Sequence, residues 1–209
     1  MSKDNKNNNE GEIIKRKVIK ITMLGDSSVG KTCLTNVYLG QKFANDFIST
    51  IGKNKMETFK EMKDGKKMKI NIIDTAGQER FHAIAKTSIK GANGIVVTFD
   101  LTNPKTFTNV ERWLSDINEN NNKLPIVLFG NKCDLEDQRK VTQEQIDEFL
   151  EKNNNLPYFE TSAKTGVGIK EGYQKVIDDA YEIIKKSQSG GIILENDNGK
   201  KKPQKKCCK

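Results

Sequence analysis

The stretch Gly25-Asp26-Ser27-Ser28-Val29-Gly30-Lys31-Thr32 limits what this chain can fold into more than any other. Two glycines five positions apart, followed by Lys and Thr, match the spacing of a loop that wraps phosphates. The flanks fit as well. Val18-Ile19-Lys20-Ile21-Thr22-Met23-Leu24 reads as a buried strand feeding the loop, and Cys33-Leu34-Thr35-Asn36-Val37-Tyr38-Leu39 reads as a helix leaving it. Backbone N–H groups of such a loop point inward and the helix adds its positive N-terminal end, so a polyphosphate is the natural guest. Lys31 is expected to reach the β- and γ-phosphates, and Thr32 to offer its hydroxyl to Mg²⁺. A plain glycine turn accounts for the glycines, but not for all four fixed positions in a strand–loop–helix context.

Downstream, strands and helices alternate. Asp64-Gly65 is a strong hairpin signal joining strands expected at about 54–62 and 66–73. In the second of these Met68, Ile70 and Ile72 alternate with Lys69, Asn71 and Ile73, giving one buried face and one mixed face. A short helix is expected over 79–88. Gly94–Asp100 and Pro125–Gly130 are near-continuous apolar runs, the kind buried on both faces of a parallel sheet. Thr102-Asn103-Pro104 starts a helix with Phe107, Val110, Trp113, Leu114 and Ile117 at core spacing. Thr142-Gln143-Glu144-Gln145 is a capping box, and Tyr158–Thr161 a last short strand. A final helix runs from about Ile169 to Lys186, with Tyr173, Val176, Ile177, Ala180, Ile183 and Ile184 as its apolar face. This order predicts an α/β fold: a mostly parallel six-stranded sheet with one antiparallel edge hairpin, helices on both faces and a ligand crevice at the carboxyl ends of the strands. Gly25, Asp74, Asn131 and Ser162 are expected just past such ends, which would gather four motifs on one rim.

The 209 residues fit one domain with tails: a polar, disordered extension over 1–16, a folded domain over 17–186 and a flexible Lys-rich tail over 187–209. The count of 36 Lys and Arg against 28 Asp and Glu gives +8, a balance that suits nucleic acid or a membrane. Residues 185–209 hold eight Lys against Glu195 and Asp197, a net +6 that leaves only about +2 elsewhere. The charge is mostly a tail property and no basic recognition helix is evident, so no nucleic-acid partner is expected. Of the four cysteines, Cys33 and Cys133 are expected inside core elements, while Cys207 and Cys208 stand at the C-terminus; none has zinc or redox spacing. A reducing, cytosolic setting is expected, with no signal peptide, no spanning helix and no N-myristoylation, since position 2 is Ser.

Five motifs together resemble the Ras superfamily of small GTPases, and within it the Rab branch. They are Gly25–Thr32, Thr50-Ile51-Gly52, Asp74-Thr75-Ala76-Gly77-Gln78-Glu79-Arg80-Phe81, Asn131-Lys132-Cys133-Asp134 and Thr161-Ser162-Ala163-Lys164. The resemblance runs from about Val18 to Ile184 and implies a P-loop GTPase fold that binds GTP or GDP with Mg²⁺. Asp134 would accept from both the ring N–H and the exocyclic amine of guanine. Adenine lacks that donor pair, and a buried Asp left unpaired against it is costly. Asn131 belongs to the same set, Lys132 would lie beneath the ring, and the backbone N–H of Ala163 would meet the guanine O6, between Ser162 and Lys164. Phe43 would stand against the base, and Cys33 would follow the phosphate loop. Thr32 and Thr50 would give hydroxyls to the metal, with Asp74 holding a metal-bound water. Thr50 and the Gly77 N–H would engage only when the γ-phosphate is present, so its loss frees both loops. Gln78 would orient the attacking water, with Lys31 on the transferred charge. Arg80 is read as structural and His82 as a surface residue. Slow turnover, on the order of 10⁻⁴ s⁻¹, accelerated by an activating protein, is implied. Exchange factors, effectors and prenyl-escort or dissociation-inhibitor proteins are the further partners implied for a monomeric chain.

Lys55, Ile73 and Ser88-Ile89 stand where Rab proteins usually present aromatics that effectors read, and Ser28 stands where glycine is common. The chain ends Cys207-Cys208-Lys209, and Lys206 in the fourth position from the end breaks the Cys-a-a-X pattern. Rab proteins end in similar paired cysteines carrying two geranylgeranyl groups. Two chains, with roughly 1 kcal/mol per Lys near an anionic surface, hold a protein stably. The implied setting is the cytoplasmic face of an intracellular or plasma membrane, cycling with cytosol, and the implied role is a switch in vesicle traffic. A Ras- or Rho-like signalling GTPase is disfavoured by the paired-cysteine end. A nucleotide-locked binding module is disfavoured by Thr50 and Gln78, and a P-loop kinase or ATPase by Asp134.

Overall fold

The computed structural model describes residues 18–43, 53–75, 82–119 and 124–189. In chain order these give β1 (Val18–Leu24), α1 (Lys31–Tyr38), β2 (Lys53–Glu61), β3 (Lys67–Thr75), α2 (His82–Ile89), β4 (Gly94–Asp100), α3 (Pro104–Thr108), α4 (Val110–Glu119), β5 (Ile126–Asn131), α5 (Gln143–Lys152), β6 (Tyr158–Thr161) and α6 (Ile169–Ser189). The strands form a six-stranded sheet of order β2-β3-β1-β4-β5-β6. β2 and β3 pair antiparallel; the other neighbours are parallel. The strand sequences account for the order. β4 is buried at every position, so it needs cover on both faces and takes the centre. β2 carries exposed Lys55, Glu57 and Glu61 and takes an edge, where charge discourages further pairing.

Two apolar layers flank the sheet. On one face Ile19, Ile21, Met23, Ile70, Ile72 and Phe129 meet Leu34 of α1 and Tyr173, Val176 and Ile177 of α6. On the other, Leu24, Ile95, Val97, Phe99 and Leu128 meet Ile89, Trp113, Ile117, Ile146 and Phe149. Alternate residues of β4 and β5 thus supply both cores: Val96, Val127 and Phe129 on one face, Ile95, Val97, Phe99 and Leu128 on the other. The capping box of α5 forms as expected, with the Thr142 hydroxyl accepting from the Gln145 N–H and the Gln145 side chain accepting from the Thr142 N–H.

Several expectations change. The single helix expected from Thr102 onward is two, α3 and α4, divided at Asn109. The helix expected over 79–88 runs from His82 to Ile89. Asp74 and Asn131 close β3 and β5 from within, whereas Gly25 and Ser162 lie just beyond β1 and β6. Ile183, expected on the apolar face of α6, is 43% exposed. At 21 residues α6 is about 30 Å long, against about 23 Å for the seven-residue β1, so its last turns overhang the sheet. Cys33 and Cys133 are half-buried rather than core, because Cys133 sits in the loop after β5. Ser88 and Ile89 are fully buried and do not reach the surface at all. The final helix, expected to end near Lys186, reaches Ser189; the extension over 1–16 and the tail from 190 lie outside the described residues.

Candidate functional site

The phosphate loop is fitted to its neighbours by close backbone approach. Gly25 has φ +137°, and a Cβ there would lie 2.2 Å from the Thr98 carbonyl oxygen of β4. Gly30 has φ +99°, and a Cβ would come within 2.3 Å of Asn131 Nδ2. That nitrogen donates to the Val29 carbonyl at 2.7 Å, so the residue that opens the second motif braces the first. Ser28, on the exposed side of the loop, is held at φ +65°, where an L-residue costs about 1–2 kcal/mol and glycine costs little.

Within the loop Lys31 is buried, and its ammonium donates to the carbonyls of Gly25 at 2.9 Å and Asp26 at 2.6 Å. Burial pulls its pKa down to about 8 against the opposing charges of Asp74 and Asp26. Next to it the Thr32 hydroxyl donates to Asp74 Oδ2 at 2.6 Å. Asp74 is fully buried, and its neighbour Thr75 ties the end of β3 to β1 by donating to the Met23 carbonyl at 2.7 Å. An anionic oxygen and a hydroxyl side by side next to a phosphate cradle are the hard-donor set that suits Mg²⁺. Burial, then Asp74, pushes the Cys33 thiol up, so it is neutral here.

The two loops expected to read a base form one unit. The Ser162 hydroxyl donates to Asp134 Oδ1 at 2.6 Å and accepts from the Thr165 N–H at 3.1 Å. The Cys133 N–H donates to the Thr161 carbonyl at 3.1 Å, and the Thr161 hydroxyl to Asn131 Oδ1 at 3.3 Å. Asp134 is half-buried rather than buried, so the rim is open at the place where a base would enter.

Five further residues hold this rim, and sequence reasoning did not assign them a site role. Asp100, closing β4, takes the Lys132 ammonium at 2.6 Å while Lys132 sits at φ +69°. A carboxylate ending a fully buried strand was the available signal; in the sheet it stands beside Asn131. Asn109 and Trp113 donate to the Asp26 carboxylate at 2.6 and 3.0 Å, pinning the phosphate loop to the α3–α4 break. Arg139 grips Glu160 with both Nη atoms, at 3.0 and 2.7 Å, joining the loop after β5 to β6. These pairings join residues far apart in sequence, and no local pattern announces them.

Gly25 to Cys33, Asp74, Asn131, Lys132, Asp134, Ser162 and Ala163 therefore share the rim. Phe43 and Lys164 are exposed and take no part in the hydrogen bonding described above. Thr50, Gly77, Gln78, Cys207 and Cys208 lie outside the described residues, as does the side chain of His82.

A sequence model of the Ras family matches residues 20–182. The chain is 39% identical over 192 residues to Ras-related protein Rab-13 of Bos taurus, covering 91% of each protein. It is 37% identical over 195 residues to Ras-related protein Rab-10 of Diplobatis ommata, covering 91% of this chain and 96% of that one. To Ras-related protein RABD2c of Arabidopsis thaliana it is 42% identical over 179 residues, covering 83% and 86%.

Proposed function

Because the chain belongs to the Ras family of small GTPases, in its Rab branch, we propose that the rim described above binds GTP and GDP with Mg²⁺ and that the chain cycles on a membrane as a switch of vesicle traffic. What carries the reading is the single bonded frame of the phosphate and base loops, with Asn131 on Val29 and Asp134 on Ser162. A polyphosphate attached to a base needs both ends held at a fixed distance, and this frame fixes it.

Lys31 exchanges its two carbonyl partners for phosphate oxygens, and the arriving negative charge holds its proton more firmly. Asp134 accepts from guanine in place of the Ser162 hydroxyl. Thr32 and Asp74 hold the metal, Asp74 through a water, together with Thr50. Mg²⁺, when bound, neutralises charge across the β- and γ-phosphates. Gln78 orients the water, and Thr50 and the Gly77 N–H sense the γ-phosphate. Hydrolysis is slow until an activating protein assists. Exchange factors, effectors and prenyl-escort proteins are the remaining partners. Cys207 and Cys208 carry the prenyl groups; among the described residues no helix is long and apolar enough to cross a membrane. The domain proper spans 17–186, between the N-terminal extension and the lipidated tail.

The decisive experiment is single-turnover GTP hydrolysis with purified protein and its Gln78→Leu variant. Phosphate release by the wild type and a loss of roughly tenfold or more in the variant is expected. Release no faster than the blank would turn the reading into a nucleotide-locked module, and ATP competing equally with GTP would overturn it. For the anchor, a tagged Cys207→Ser/Cys208→Ser protein that stayed on membranes would sink the lipid assignment.

A further inference from the structure

The β2–β3 hairpin holds a charge imbalance that the domain as a whole lacks. Between Lys53 and Lys69 there are seven lysines against Glu57, Glu61 and Asp64, a net +4, in a chain that totals only about +2 before its last 25 residues. Half of the surplus sits at the tip, where Lys63, Lys66 and Lys67 stand against Asp64. Lys63, Lys66 and Lys67 are exposed, the side chain of Lys63 at 89%. The tip lies at the strand-starting end of the sheet, opposite the nucleotide rim, since β3 departs from it in parallel with β1.

The far end of α6 is fastened to that tip. The Tyr181 hydroxyl donates to Asp64 Oδ2 at 2.8 Å, and the Lys185 ammonium lies 3.9 Å from the same oxygen. Lys66 stands 3.3 Å from it. Of the acids near the tip, Asp64 is engaged as just described and Asp178 by Lys60 and Lys63 at 3.7 and 3.8 Å, while the exposed Glu61 stands across the hairpin from Lys67. Glu182 is the exposed acid left on this stretch of α6. Lys185 and Lys186, on the overhanging turns, add to the lysines of the hairpin. From this end the chain continues toward Lys200–Lys202, Lys205, Lys206 and the paired cysteines.

We propose that Lys63, Lys66 and Lys67 of the hairpin tip, with Lys185 and Lys186 of α6, form a face that rests on anionic lipid headgroups and holds the domain with its nucleotide rim turned away from the membrane. Each lysine near such a surface contributes about 1 kcal/mol, or about fivefold in partition. A tail alone would tether the domain in any orientation; a basic face fastened to the tail's point of departure sets one. The inference rests on the membrane-anchored reading above, and the two fail separately.

The test uses the full-length, unlipidated chain on phosphatidylcholine vesicles with and without phosphatidylserine. Sedimentation compares the wild type with a hairpin variant (Lys63→Gln, Lys66→Gln, Lys67→Gln) and a tail variant with Lys200–Lys202, Lys205 and Lys206 changed to Gln. Nucleotide binding serves as the check on folding, since none of the three hairpin lysines borders the rim. The hairpin variant is expected to lose roughly tenfold or more of its partition onto anionic vesicles and nothing on neutral ones. In the wild type, Lys63 and Lys66 are expected to be shielded from an acylating reagent by anionic vesicles while Lys164, on the rim, is not. A hairpin variant that binds within twofold of wild type, or equal shielding of Lys63 and Lys164, would overturn the proposal while leaving the lipid anchor standing. Binding that persists in the hairpin variant but vanishes in the tail variant would assign the attraction to the tail alone and leave the hairpin face to an acidic protein partner.

Discussion

Lys31 is the residue on which the energetics of the site turn. Its pKa of about 8 lies below the ordinary 10.5 because burial penalises the ammonium more than Asp74 and Asp26 favour it. Between those two values the unfolded chain binds more protons than the folded one, so this group makes stability rise with pH over that window and contributes no slope below it. The span corresponds to roughly 3 kcal/mol. Nucleotide-free Lys31→Met is therefore expected to be more stable than wild type at neutral pH, with the gap closing as pH approaches 10. Urea unfolding of both proteins across that range measures it, and a gap independent of pH would refute the buried-charge account. Ser28 is a second strained residue. At φ +65° it gives up about 1–2 kcal/mol that glycine would not, less the extra entropy glycine loses on folding. Ser28→Gly should raise stability by roughly 0.5–1 kcal/mol, seen as a rise of about 1–4 °C in the melting temperature. A fall would mean that the Ser28 side chain is held by something beyond its backbone.

At the scale of elements, what could be read from sequence was what is locally encoded. β4 and β5 were legible because burial on both faces leaves unbroken apolar runs, and α5 because a capping box needs only Thr142 and Gln145. The split between α3 and α4 was not, since Asn109 looks like an ordinary helix position until its side chain meets Asp26, 83 residues away. Trp113 was read as core, and it is; its indole N–H on Asp26 is a property of the packed molecule. The rim followed the same rule. Its motifs were visible as spacings, while the clamp from Arg139 to Glu160 was invisible because it spans two elements. That clamp, with both partners about two-thirds buried, holds the loop bearing Asp134 to the strand leading to Ser162. Arg139→Ala should loosen the pair by roughly 1–2 kcal/mol and speed GDP release by about tenfold. Stopped-flow displacement of a fluorescent GDP measures the rate, and unchanged release would mean that the bonds from Ser162 and Cys133 hold the base loops unaided.

For the whole molecule, the topology sends the carboxyl ends of β1, β3, β4, β5 and β6 to one rim and leaves the hairpin tip and the end of α6 at the other. On the proposed reading signal and attachment would occupy opposite ends, with the core between them. Trp113 of α4 shows the continuity: it packs in the second apolar layer and its indole N–H donates to Asp26 of the phosphate loop. Ligand and fold are then linked by mass action, because the unfolded chain has no rim to bind nucleotide. At a thousand times its dissociation constant a ligand adds about 4 kcal/mol, which for a domain of this size raises the melting temperature by roughly 8–16 °C. Mg²⁺ with GDP in that excess is expected to give such a shift, chelation of the metal to reverse part of it, and ATP at the same concentration to give none. An equal shift with ATP would mean that Asp134 does not select the base, and the frame joining it through Ser162 to the phosphate loop would have to be assigned to holding the fold rather than reading guanine.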